Sequence, residues 1–328
     1  MEVNRPGEPA FAGVGTFAKL PLVLDPAELS ETDVAVFGAP MDDLVTNRPG
    51  ARYGPRAIRL AYDEGAPPRS HHMDLGVDPF AELRIVDHGD ALVTPGDPNT
   101  SHHHIRSGVA NIMRAGAVPV LLGGDHSVSY PSIRAVAENF PSGSLAVVHF
   151  DTHTDTATEN FGVKWAHGTP FRNLVDEGHI RGDRLIQIGL RGYWPFQAEW
   201  EWARSKGVRW HRMEQVIERG IDAVMASVNY EIGDAAHVYL SVDVDVLDPA
   251  YAPGTGTPEP GGLTSRELLR AVRQVVLERG LAGLDVVEVA PIYDHAGITA
   301  LAAYRTVLEA LTALAVHRRG GAPNPEDP

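Results

Sequence analysis

Short apolar runs recur along the chain, separated by longer stretches whose apolar residues fall at helical spacing. The runs at 34–39, 83–87, 118–122, 145–150, 185–190, 208–210, 238–242 and 284–287 are aliphatic or β-branched nearly throughout. Continuous rather than alternating apolar character marks strands covered on both faces. The intervening segments 101–115, 265–279 and 300–317 have the period and length of crossover helices. This alternation predicts an α/β protein of three layers, α/β/α, around a central, mostly parallel eight-stranded sheet. No repeat of fixed period interrupts it. A single domain over residues 1–328 is expected, with 1–15 and 320–328, rich in Gly, Pro and Glu, as flexible tails.

The polar residues that break this pattern sit at the C-terminal ends of predicted strands. Gly123-Gly-Asp125-His126-Ser127 follows the third, and Asp151-Thr-His153-Thr-Asp155 follows the fourth. Asp243 and Asp245 end the seventh and Glu288 ends the eighth. In open α/β sheets ligands bind outside those strand ends, so these groups converge on one sheet edge. If 151–155 is extended, alternate side chains share a face, and Asp151, His153 and Asp155 point into one site. Buried unpaired carboxylates are costly, and metal coordination satisfies several at once. His126, Asp151, His153, Asp155, Asp243 and Asp245 form a set of four carboxylates and two imidazoles. That is more than one ion needs, and it suits two divalent ions with a bridging carboxylate. The paired glycines permit the tight turn that places His126, and Asp125 is expected to orient an imidazole or the backbone.

Composition narrows the class. The chain has 43 acidic and 28 basic residues, a net charge of −15, which argues against nucleic acid as a partner. It has no cysteine, so disulfides and thiolate metal sites are excluded. No apolar run approaches the roughly 18 residues of a membrane span, and no membrane partner is expected. The polar N-terminus lacks a signal-peptide core, and a cytoplasmic location is expected.

Taken together, Gly-Gly-Asp-His-Ser, Asp-Thr-His-Thr-Asp and Ser-Val-Asp-Val-Asp-Val-Leu-Asp-Pro resemble, in this order, the signatures of the arginase–agmatinase ureohydrolases. The resemblance includes residues 47–56 and 253–257 and runs from about Val34 to Leu314. It implies an arginase/deacetylase-like fold, two metal ions per chain (manganese, with nickel as the alternative) and a homo-oligomer, hexamer or trimer. It also assigns two residues. His167 matches the histidine that carries a proton to the leaving amine, a task suited to imidazole at neutral pH. Glu288 matches the glutamate that pairs with the substrate guanidinium. In the implied mechanism a water-derived hydroxide attacks the guanidino carbon, Asp155 holds its proton and His167 protonates the departing nitrogen. The products are urea and an amine.

The chain departs from arginases where they hold the amino-acid end of arginine: Ala157 and Gly192 stand in place of an Asn and an Asp. Both departures disfavour arginine. The segment 192–202 carries five aromatic residues, of which Tyr193 and Trp194, with Trp165 near His167, are expected to wall the pocket. Trp200 and Trp202 are expected to pack a helix against the sheet. His71, His72 and His102–His104 are read as surface residues. The small guanidino substrate is expected to be agmatine. Guanidinobutyrate, proclavaminate-type guanidino acids and free guanidine are the alternatives. A one-metal deacetylase and a non-catalytic partner subunit are competing readings, but the complete ligand set counts against both.

Overall fold

A computed structural model describes residues 11–61, 71–193 and 195–320. Within it lie eight strands: β1 (Val34–Ala39), β2 (Ile85–Asp90), β3 (Val118–Gly123), β4 (Leu145–Phe150), β5 (Leu185–Leu190), β6 (Arg209–Arg212), β7 (His237–Asp243) and β8 (Gly283–Val287). They form one sheet in the order β2-β1-β3-β8-β7-β4-β5-β6. Every pairing is parallel, so the sheet is wholly rather than mostly parallel. The strands that end in the candidate ligands, β3, β8, β7 and β4, are consecutive at its centre.

The continuous apolar runs divide residue by residue between two cores. Val34 and Val36 of β1 face one, with helices α1 (Gly54–Leu60), α7 (Met213–Arg219), α8 (Ile221–Ile232), α9 (Ser265–Arg279) and α10 (Ile298–Arg318). Ala35 and Phe37 face the other, with α3 (Pro98–Arg114), α4 (Ser129–Ala137), α5 (Pro170–Asp176) and α6 (Gln197–Lys206). The short α2 (Pro79–Glu82) leads into β2. α9 begins where the sequence places it because Thr264 and Glu267 form a capping box, and it stops at Gly280. α10 is the one described helix long and apolar enough to cross a membrane; it packs instead against α9, with Ala303, Val307, Ala310, Leu311 and Leu314 buried.

Three boundaries differ from the expected ones for identifiable reasons. β2 continues through polar Asp87–Asp90, because Arg59 pairs with Asp87 at 2.8 Å and Asp90 at 2.6 Å and satisfies the buried Asp87. β6 ends two residues later, at Arg212, since an edge strand can turn charged residues to solvent. α3 starts at Pro98, where Asp97 accepts the Thr100 amide. The reading of all five histidines as surface residues fails for His102 and in part for His72 and His104, which are half-buried. His102 on α3 is buried, its Nε2 lies 3.1 Å from Ser127 Oγ, and burial pushes its pKa down to about 4. His72 is half-buried and sits 3.2 Å from Glu309. Residues 1–10 and 321–328 of the expected tails lie outside the described residues.

The turn after β3 depends on the absence of a side chain at Gly124. A Cβ there would lie 1.7 Å from the Met41 carbonyl oxygen, the same oxygen that accepts the Asp125 amide. Gly124→Ala must push backbone against backbone. We expect it to destabilise the fold by at least about 1–3 kcal/mol, the usual range for overpacking. A denaturant midpoint equal to the parent's would contradict this account of the turn.

Candidate active site

The loops after the strands, not the strands themselves, aim the site residues. β4 ends at Phe150, and 151–155 leaves the sheet and bends at Thr152 and His153 rather than continuing as a strand. Asp151 Oδ1 accepts the His153 amide at 2.6 Å, and Asp155 adopts a left-handed φ of 49°. Asp243 ends β7 and accepts the Asp245 amide at 2.9 Å, starting a single 3-10 turn. Asp125 caps the turn that carries His126 and also accepts the Leu44 amide at 3.1 Å. The six expected ligands therefore converge, but through side-chain-capped turns and not through strand alternation.

They form two groups. Around His126 Nδ1 lie Asp155 Oδ2 at 2.9 Å, Asp151 Oδ2 at 3.1 Å and Asp243 Oδ2 at 3.2 Å. Around His153 Nδ1 lie Asp245 Oδ2 at 3.2 Å and Asp151 Oδ1 at 3.4 Å. Asp151 thus presents one oxygen to each group, as a bridging carboxylate would. His126 Nδ1 is buried and makes no properly directed hydrogen bond, despite three carboxylate oxygens within reach. One proton there could serve only one of them. Charge tells the same story: burial alone would depress the His126 and His153 imidazoles, yet the carboxylates hold both well above their ordinary values. Burial and the neighbouring acids push Asp243 well up, and raise Asp245 to about 6. Four carboxylates and two neutral imidazoles balance two divalent cations, so the donor set fits a two-metal centre.

A second ring of polar side chains holds this set. His126 Nε2 lies 3.0 Å from Ser241 Oγ, whose hydroxyl donates to Asp285 at 2.7 Å. Tyr239 donates to the other Asp285 oxygen at 2.8 Å. This occupies Nε2 and leaves Nδ1 as the ligand atom. His149 Nε2 bonds Asp151 Oδ2 at 2.8 Å, and its Nδ1 accepts the Gln187 amide at 2.9 Å. His149 is near enough to be grouped with the ligands, but both its nitrogens are engaged, so it orients Asp151. Sequence reasoning missed His149, Gln187, Ser241 and Asp285. Their signal was there: each is polar in the interior of an apolar strand. Behind the centre, Arg191 donates to the carbonyls of six residues (Gly189, Asp245, Val246, Leu247, Glu259 and Pro260), tying the loop after β7 to β5.

His167 stands beside the metal centre, with Nδ1 2.8 Å from Glu288 Oε1. Burial would lower its pKa, but the Glu288 carboxylate raises it to about 9. Its Nε2 accepts the Thr46 amide at 3.0 Å, which favours the neutral ring, and Thr46 Oγ1 lies 2.8 Å away. The two observations pull in opposite directions, and the hydroxyl reconciles them: it donates to the neutral ring and accepts from the charged one. Glu288 itself is buried, with a left-handed φ of 63°. Its Oε1 also accepts the His126 amide at 2.9 Å. Its Oε2 faces Gly256, where an added Cβ would lie 3.7 Å away.

A cavity of about 740 Å³ leads to His153, Asp155, His167 and Asp243. The expected aromatic walls are corrected in part. Trp165 points away from the cavity, packing on Tyr130 at 4.8 Å beneath Lys164, because its ring completes the core under α4. Tyr193 is 97% exposed and does not line the cavity, since Gly192 (φ 81°) turns the chain outward beside Glu259. Trp194 lies outside the described residues. Phe161 and Phe196 line the cavity instead. Ala157 is on its wall, as expected, but Gly192 is not. Trp202 and Trp200 pack on Arg172 and Trp210 as helix-anchoring residues.

The chain matches the family model described as the arginase family over residues 32–313. It is 42% identical over 310 residues to the guanidinopropionase of Pseudomonas aeruginosa, covering 94% of this chain and 93% of that protein. It is also 42% identical over 306 residues to the mitochondrial agmatinase of Gallus gallus, covering 92% and 86%. The solved structure of the proclavaminate amidino hydrolase from Streptomyces clavuligerus superposes with a TM-score of 0.87 at 40% identity, covering 94% of this chain and 100% of that one.

Two substitutions separate the ligands from the groups that hold them. Asp243→Ala should lose bound metal and activity while the fold persists, and unchanged turnover in that variant would refute the two-ion assignment. Ser241→Ala should keep all six ligands yet weaken metal binding about 10–100-fold, the usual effect of removing an outer partner. Metal titration followed by calorimetry reads the difference; equal affinity in parent and variant would show that Ser241 plays no part in orienting His126.

Proposed function

Since the chain belongs to the arginase family of hydrolases acting on guanidino compounds, we propose that it cleaves a short guanidino substrate bearing an amine tail, with agmatine as the leading candidate, to urea and a diamine. The observation that carries this reading is the buried His126 Nδ1, left without a directed partner among three carboxylates, beside a second group that shares Asp151. Two divalent ions, manganese or alternatively nickel, held by His126, Asp151, Asp155 and Asp243 and by Asp151, His153 and Asp245, would supply Lewis acidity and lower the pKa of water.

The chain's own residues do the rest. Asp155, at the cavity floor, accepts the proton of the attacking water. His167 delivers a proton to the departing nitrogen, and its link to Glu288 keeps the ring oriented throughout. Glu288 Oε2, which takes no hydrogen bond from the described residues, is the acceptor for the guanidinium. Its left-handed backbone turns the side chain back beneath His126, placing it where both the ring and the guanidinium can reach it. Arginine is disfavoured because Ala157 offers its α-amino acid end no partner, and an unpaired polar group costs about 1–3 kcal/mol. Support for a homo-oligomer, trimer or hexamer, comes from the cavity mouth, where Phe161 is 89% and Phe196 66% exposed.

The test is urea release from agmatine, 4-guanidinobutyrate, guanidine and arginine, with manganese and nickel each supplied. If arginine is the best substrate, the role given to Ala157 is wrong. If guanidine is best, the amine tail must be dropped. His167→Asn should retain both metals and lose about 10²–10⁴ of kcat. A variant within about twofold of the parent would show that another group carries the proton.

A further inference from the structure

The guanidino end of a substrate meets His167 and the metal ligands, which leaves its far end to the outer part of the cavity. That part has a marked charge asymmetry. Glu159 and Glu199 line it, and among the described residues no Lys or Arg does. Glu159 is exposed to solvent, whereas Glu199, in the first turn of α6, is half-buried. Burial and the nearby Asp155 raise the Glu199 pKa, while the Phe196 backbone N–H and the Thr154 hydroxyl act to lower it. No cation among the described residues pairs with it. Arg172, whose charge reaches it, is held by Asp176 at 2.9 Å and lies over the Trp202 ring at 4.5 Å. Phe161 and Phe196 complete this region, and ring faces attract cations.

A half-buried carboxylate with no cation is left under-compensated, and a ligand ammonium in the cavity would offset that cost. A carboxylate tail would meet the opposite: repulsion from Glu199 and no base to accept it. Resting on the function proposed above, we propose that Glu199 is a specificity-determining residue that selects substrates whose tail ends in an ammonium group and rejects guanidino acids. α6 brings Glu199 to the wall from outside the ligand-bearing turns, so it can set tail preference without taking part in the chemistry.

The experiment compares kcat/KM of the metal-loaded full chain for agmatine and 4-guanidinobutyrate, which differ chiefly in terminal charge. The parent should favour agmatine by roughly tenfold or more, the worth of one charge-assisted contact. Glu199→Gln should lower kcat/KM for agmatine by roughly tenfold, through KM, and raise that for 4-guanidinobutyrate as the repulsion is removed, so that the ratio of the two falls by roughly tenfold or more. Glu199→Lys should invert the preference; if that variant does not fold, Glu199→Gln carries the test alone. Binding of 1,4-diaminobutane, followed by calorimetry, should weaken in Glu199→Gln in the same proportion. A parent that prefers 4-guanidinobutyrate, or a Glu199→Gln variant with an unchanged ratio, overturns the role of Glu199 but leaves a guanidino hydrolase in place. No urea from any compound overturns the broader function, and the diaminobutane measurement then still decides for or against an ammonium site at Glu199.

Discussion

Four carboxylates packed about two imidazoles at the centre of a sheet repel one another, and that repulsion organises much of the molecule. Buried anions persist only where positive charge answers them. Here Asp151 is shared between the two groups, and each imidazole turns one nitrogen toward the acids. The neighbours fix those orientations: Ser241 and Asp285 behind His126, and His149 and Gln187 behind Asp151. Arg191 adds a half-buried guanidinium behind Asp245 and clamps the loop that carries it. With the ligands held apart by so much hydrogen bonding, the protein keeps a shape whose electrostatics are completed only by cations. Metal uptake and folding stability are thereby linked quantities.

The layers and the metal ligands were legible in the sequence because both are written in short-range pattern. A strand covered on both faces is apolar at nearly every position, and β1, β4 and β5 have the expected bounds. Acids at the end of such a run have few roles, which is why Asp243 and Asp245 stood out. What failed was the inference from spacing to mechanism at Asp151, His153 and Asp155. Period two suggested an extended segment, but the backbone there turns on the Asp151 side chain and on a left-handed Asp155. The side chains meet all the same, by a route that periodicity does not describe.

The cavity walls were less legible, again for a physical reason. An aromatic residue in a loop has two uses, core and pocket, and sequence alone does not say which side of the backbone it takes. Trp165 and Tyr193 each lie two residues from a cavity-lining position, His167 and Pro195, and face elsewhere, Trp165 into the core and Tyr193 into solvent. Phe161 and Phe196, which do line the cavity, carry no motif. Glu199 was hidden for the same reason. It belongs to a helix whose other role, anchoring through Trp200 and Trp202, accounted for the local pattern.

The floor of the site and its walls therefore come from different parts of the chain. The floor is made by turns at the ends of four central strands, each locked to the next by hydrogen bonds, so a change at one position disturbs the rest. Much of the wall comes from the surface segment 157–161 and the start of α6, which carry none of the metal ligands. Such a division allows drift. The wall can be rewritten by single substitutions while the chemistry beneath is inherited unchanged. A lineage built this way can move among small guanidino compounds without passing through an inactive ancestor.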